Sequence, residues 1–76
     1  SAYNNLGNIK REFKDYNGAI SDYTKAIKIN PNDAIAYYNR GLAKYFSNNY
    51  AGACLDARNA HNLGIDATQF INNACK

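Results

Sequence analysis

The chain has 76 residues, 46% hydrophobic and 20% charged, with a net charge of +3: one small globular domain, too apolar for a disordered segment. No apolar run approaches the roughly 20 residues that span a bilayer, and no signal peptide is visible at the N-terminus. Nine Lys and Arg are scattered among six acids, a balance that reads as a solvated surface rather than a nucleic-acid footprint.

The apolar spacing is helical throughout. Tyr3, Leu6, Gly7, Lys10 and Phe13 share one face at i, i+3, i+4, i+7 intervals, which predicts a first helix over about 2–14. Asp15-Tyr16-Asn17-Gly18 reads as a turn, with Asp15 or Asn17 able to cap the next helix. Ala19, Ile20, Tyr23, Ala26 and Ile27 form the stripe of a second helix running to about Ile29. Asn30-Pro31-Asn32-Asp33 stops it, because proline cannot continue a helix, and Asn32 or Asp33 can cap a third. That third helix is expected over about 34–46, then a turn at Ser47-Asn48-Asn49, and a fourth helix over about 51–63 closed by Gly64. Asp66 to Gln69 has the form of a capping box with Asp in the Ser/Thr place, opening a short fifth helix to Lys76. Phe70, Ile71, Ala74 and Cys75 are its apolar side.

The chain also repeats itself. Shifted by 34 residues it matches at ten positions, among them Tyr3 with Tyr37, Gly7 with Gly41, Lys10 with Lys44, Ala19 with Ala53, Asp22 with Asp56 and Ala26 with Ala60. A fixed period of this size marks stacked helical units that bury their apolar faces on one another. Gly7 and Gly41 sit inside helices, where glycine costs about 1 kcal/mol relative to alanine. They suggest close helix approach, with Ala19, Ala26, Ala53 and Ala60 as the facing small surface, and Tyr16 and Tyr50 plugging the ends.

These residues resemble the tetratricopeptide-repeat family, whose pattern is W-x2-L-G-x2-Y…A-x3-F…P. One unit supplies Tyr3, Leu6, Gly7, Lys10, Ala19, Tyr23, Ala26 and Pro31. The next supplies Tyr37, Arg40, Gly41, Lys44, Ala53, Ala57, Ala60 and Ile65. The departures are Tyr for Trp at both starts, Lys for the first Tyr, Arg40 for Leu, Ala57 for the aromatic and Ile65 for Pro. The resemblance implies a single all-α domain over 1–76, an α-solenoid of tandem helix-turn-helix units: repeat one over about 1–33, repeat two over about 34–67 and a capping helix over about 67–76. Ser1 falls inside the first helix of that pattern, which fits an array cut from a longer one.

The resemblance further implies a superhelix whose concave groove docks a peptide or helix of a partner protein, without catalysis and without a cofactor. The first helix would offer Asn4, Asn5, Asn8, Arg11 and Glu12 to that groove. The third would offer Tyr38, Asn39, Leu42, Tyr45 and Phe46, and the fifth Gln69 and Asn73. Asparagines can pair with a peptide backbone, the aromatics can take apolar side chains, and Arg11 can meet a carboxylate. For Leu42 and Phe46, packing between repeats is the favoured expectation over a groove role. A clamp for chaperone C-terminal carboxylates is not expected: Asn8 and Asn39 match its asparagines, but Asn4, Gln69 and Asn73 stand where the family carries cations.

No nucleophile-base arrangement, phosphate-cradling loop or metal motif is present, and His61 reads as a surface or packing residue. Cys54 and Cys75 are either two buried small hydrophobes or, in an oxidising compartment, a disulfide stapling the closing helix. The compartment stays open, the cytoplasm slightly favoured. The alternative reading is self-association through the repeat ends; nucleic-acid binding ranks below it, and no membrane role is expected.

Overall fold

The computed structural model describes residues 1–76 as five helices: α1 (Ala2–Glu12), α2 (Tyr16–Ile29), α3 (Ala34–Phe46), α4 (Tyr50–Asn62) and α5 (Thr68–Ala74). There is no strand, and each helix packs on the next in chain order. The connections are short, so each helix folds back along its predecessor.

Local chemistry fixes the boundaries. Asp15, Asp33 and Asn49 cap α2, α3 and α4, their side chains accepting from the backbone N–H of Gly18, Ala36 and Gly52 at 3.0, 3.1 and 3.0 Å. α1 stops at Glu12, short of the expected 14, because Lys14 turns left-handed at φ 63°. Asn48 does the same at φ 68°, 34 residues on. Each reversal lets the next amide reach back five residues, Asp15 to the Lys10 carbonyl and Asn49 to the Lys44 carbonyl, both at 2.8 Å. Gly64, at φ 115°, ends α4 in the same hand. The capping box expected at Asp66–Gln69 does not form. Ala67 is the cap residue of α5, without a side-chain bond, and Asp66 instead accepts from the Thr68 N–H and hydroxyl at 3.2 and 2.7 Å. Those bonds hold the Asp66 carboxyl below its usual range. α5 also stops at Ala74, before Lys76.

The core is built from alanine. Ala19, Ala26, Ala36, Ala43, Ala53, Ala57 and Ala60 are buried, which lets the helices approach closely. One large ring fills each unit. Tyr23 is fully buried against Gly7, where an added Cβ would fall 2.5 Å from the ring. In the second unit Ala57 stands at the place of Tyr23, and Phe70 of α5 fills the space instead, lying 3.0 Å from where a Gly41 Cβ would be, as does the Asp56 Cβ. The glycines therefore face Tyr23, Asp56 and Phe70, not the alanines expected to face them. Gly7→Ala should lower the unfolding free energy by about 1–3 kcal/mol in urea titration, although alanine is the better helix former. An unchanged or raised midpoint would show that the Tyr23 ring yields freely.

The face expected of the first helix is covered only in part: Gly7 is buried and Tyr3 and Lys10 are half-buried, but Leu6 and Phe13 are open, as is Ile9 beside them. Leu6, Ile9 and Phe13 are 45%, 51% and 81% exposed, and the buried residues of α1 are Asn4 and Gly7. Periodicity marks an apolar stripe, but no other helix of this chain lies over it.

Candidate functional site

A concavity lies between α3 and α5. It has a volume of about 230 Å³, with Tyr38, Leu42, Tyr45 and Phe46 on the α3 side and Gln69, Phe70 and Asn73 on the α5 side. The 3.6-residue period puts Tyr38, Leu42 and Tyr45 on one face of α3, and Gln69 and Asn73 one turn apart on α5. Phe70 makes the floor: it meets Tyr38 and Tyr45 edge-on, at centroid distances of 5.4 and 6.0 Å. Tyr45 also meets Tyr50 at 5.2 Å. A second depression of about 360 Å³, lined by Tyr45, Tyr50, Asn73, Ala74 and Lys76, shares Tyr45 and Asn73 with the first. The surface is an aromatic floor with amide groups at its rim and one cation, Lys76, at its end.

Six of the expected groove residues line this concavity: Tyr38, Leu42, Tyr45, Phe46, Gln69 and Asn73. Phe46 also stacks on Tyr16 at 6.0 Å and so ties the end of α3 to the start of α2. Phe70 is not among the groove residues expected from the sequence. A signal for it exists there: it stands 34 residues after Ala36, a large residue at a small position, while Ala57 stands 34 after Tyr23.

The α1 residues are placed differently. Asn4 is buried and lines no open surface; its Nδ2 donates to Asp33 at 2.8 Å, and its Oδ1 is buried without a partner. Asn8 accepts from the Tyr23 hydroxyl at 2.5 Å, and Arg11 donates to Asn39 across the α1–α3 gap at 3.3 Å. The side-chain N–H groups of Asn8 and Asn39 make no hydrogen bond within the chain. Asn5 and Glu12 are exposed and line none of the depressions.

Charge is more organised than the sequence suggested. Asp56, on α4, accepts two bonds from the Arg40 guanidinium, at 2.9 and 2.8 Å, and meets the Lys44 Nζ at 3.1 Å. Arg40 also donates to the Thr24 hydroxyl on α2 at 3.3 Å, so one side chain spans three helices. The bond to Asp56 raises the Arg40 guanidinium above its ordinary value against the cost of burial. Lys10 and Asp22 repeat the pair in the first unit at 2.9 Å. Lys10, Arg40 and Lys44 are thus engaged internally, which thins the cationic surface a nucleic acid would need.

Burial raises the Tyr23 phenol above its usual value, with Arg11 lowering it and Asp22 raising it further. A group whose folded value is raised contributes stability that is full below its unfolded value, near 10.0, and is lost as pH rises through the folded value. Urea midpoints should therefore fall above about pH 10 more steeply in the parent than in Tyr23→Phe. Parallel alkaline limbs would remove this role.

Cys54 on α4 and Cys75 at the end of α5 form a disulfide, with Cα atoms 4.9 Å apart. No group of three or more His, Cys, Asp or Glu is placed to hold a metal ion, and no helix is long and apolar enough to cross a membrane.

A family model described as TPR repeat matches residues 7–46. Over 64 residues the chain is 42% identical to the small glutamine-rich tetratricopeptide repeat-containing protein 2 of Saccharomyces cerevisiae, covering 84% of this chain and 18% of that protein. Over 50 residues it is 46% identical to serine/threonine-protein phosphatase 5 of Homo sapiens, covering 66% of this chain and 10% of the phosphatase, and the Rattus norvegicus protein matches equally. The chain spans less than a fifth of the length of these relatives.

Proposed function

This chain belongs to the tetratricopeptide-repeat family, whose members are generally non-catalytic protein-interaction modules, and from that premise we propose that it binds an extended peptide of a partner protein along the α3–α5 groove. The observation that carries the reading is the concavity itself: an apolar floor of Tyr38, Leu42, Tyr45 and Phe70 under a rim of Gln69 and Asn73. A bulky apolar side chain of the peptide enters the pocket, and the amides hold the peptide backbone beside it. Asn8 and Asn39, their oxygens already occupied, offer N–H groups to peptide carbonyls. Arg11 spends one bond on Asn39 and keeps donors for a carboxylate. Docking is the part proposed for this chain; phosphatase chemistry is not carried over from a match that covers 10% of the phosphatase.

The test uses a fluorescein-labelled decapeptide pool, random except for a central Phe, read by fluorescence polarisation. Gln69→Ala and Asn73→Ala each weaken binding about fivefold to tenfold, the worth of one net hydrogen bond. Asn72→Ala, exposed on α5 and outside the pocket, leaves it unchanged. Equal effects at all three positions would remove the assignment.

A second reading rests on α1. The exposed stripe of Leu6, Ile9 and Phe13 suits stacking on a further repeat or on a second copy. Sedimentation equilibrium across a concentration series tests the second copy: a monomer throughout removes it.

A further inference from the structure

The groove wall supplied by α5 is short and has few polar ties to the rest of the fold. α5 has seven residues and no side-chain cap, far short of the length that holds a helix together in water. The three ion pairs join α1 to α2 and α3 to α4, and none reaches α5. Its anchors are the burial of Ala67, Phe70 and Ala74 beside Ala53 and Ala57 of α4, one bond from the Ala67 N–H to His61 Nδ1 at 3.3 Å, and the disulfide.

The disulfide stands at the far end of α5, where the helix has no other polar tie. Both cysteines are half-buried and line a depression with Arg58 and Lys76, two cations that favour the approach of an anionic thiolate. That depression shares Tyr50, Ala74 and Lys76 with the second groove depression. The sulfur pair and the peptide groove are thus neighbouring surfaces around one end of one short helix.

Resting on the peptide-groove reading, we propose that the Cys54–Cys75 disulfide is a redox latch on the groove: closed, it holds α5 in place as the second wall, and a dithiol reductant opens it and weakens peptide binding. A thiolate of the dithiol attacks one cysteine sulfur. The protein S–S bond breaks, its electron pair leaves on the other cysteine, and that thiolate takes up a proton. The second thiol of the reductant, deprotonated, attacks its own sulfur in the mixed disulfide, closes the ring disulfide and releases the second cysteine, which is also protonated. Two electrons and two protons pass from the dithiol to the protein. The reduced chain regains the conformational freedom of the open α5 state, which the cross-link had removed.

Hydrogen exchange and peptide binding are measured together on the oxidised protein, on the same protein reduced with excess dithiothreitol, and on the Cys54→Ser/Cys75→Ser variant. Reduction should speed amide exchange in α5 about tenfold or more while α2 stays within about twofold. The affinity for the central-Phe decapeptide pool should fall about threefold or more and return on reoxidation, and the serine variant should match the reduced protein. Unchanged α5 exchange on full reduction overturns the latch whatever the peptide does. Equal acceleration of α2 and α5 also overturns it, because the disulfide is then a staple of the whole fold. A loosened α5 with undiminished peptide affinity overturns the link to the groove. Failure of the oxidised protein to bind the pool overturns the groove reading itself and the proposal with it, an outcome separable from the others because exchange is read without peptide.

Discussion

Replacing Asp56 with alanine lowers the unfolding free energy by about 3–5 kcal/mol, as urea titration will show. The carboxylate side chain is 2% exposed and holds two cations that are themselves mostly covered. Its removal leaves the Arg40 and Lys44 charges without a partner inside α3–α4 packing and loosens the Arg40 tie to α2. A chain of 76 residues is stable by roughly 4–11 kcal/mol in total, so the loss is a large share of it. The equivalent change at Asp22 costs much less, because its partner Lys10 is 41% exposed and its charge is solvated without the acid. Adding Arg40→Leu to Asp56→Ala recovers part of the loss, since the stranded guanidinium goes with it. Equal losses at Asp22 and Asp56 would contradict the picture of one triad with covered cations and one buried acid whose lysine partner is open to solvent.

Phe70→Ala is the second large loss, again about 3–5 kcal/mol. Phe70 is 6% exposed, sits over Gly41 and is the one large side chain among the buried residues of its cluster. Without it α5 keeps the contacts of Ala67, Ile71 and Ala74, the bond to His61 and the disulfide, and the groove loses its floor. Peptide binding should therefore disappear before the rest of the chain unfolds. The register of the two units suggests a rescue. The first unit pairs a large Tyr23 with a small Ala36, and the second pairs a small Ala57 with a large Phe70. Ala57→Phe combined with Phe70→Ala restores the first unit's order and should be more stable than Phe70→Ala alone. A double variant no better than the single one would show that the two rings do not fill equivalent space.

How much of this could be read in the sequence depended on the range of the interaction. α2, α3 and α4 were legible, and so were Asp15 and Asp33 among the cap candidates, because a capping side chain acts within three residues of itself; Asn49 fell in the expected turn without being singled out as a cap. Tyr38, Leu42, Tyr45, Phe46, Gln69 and Asn73, offered to a groove by the family resemblance, line one concavity; that a peptide docks there is the proposal. Most of the failures were non-local. The expected face of Tyr3, Leu6, Gly7, Lys10 and Phe13 shows the right period, yet Leu6 and Phe13 stay open, because burial needs a second helix to cover them. The partners of Gly7 and Gly41 depended on ring placement across helices, including a swap of sizes between Ala57 and Phe70. The Lys10–Asp22 and Lys44–Asp56 pairs were visible as identities at the 34-residue period, yet nothing local shows that they meet. The capping box at Asp66 failed because Thr68, two residues on, offered its carboxylate a nearer pair of donors.

The most direct measurement of peptide docking between α3 and α5 is a map of backbone amide NMR shifts during titration of the oxidised protein with the central-Phe decapeptide pool. The largest saturable shifts should fall on Tyr38, Leu42, Tyr45, Gln69, Phe70 and Asn73, with Leu6, Ile9 and Phe13 unmoved. Saturable shifts confined to the exposed stripe of α1, or spread over the chain without a focus between α3 and α5, would contradict docking in that groove.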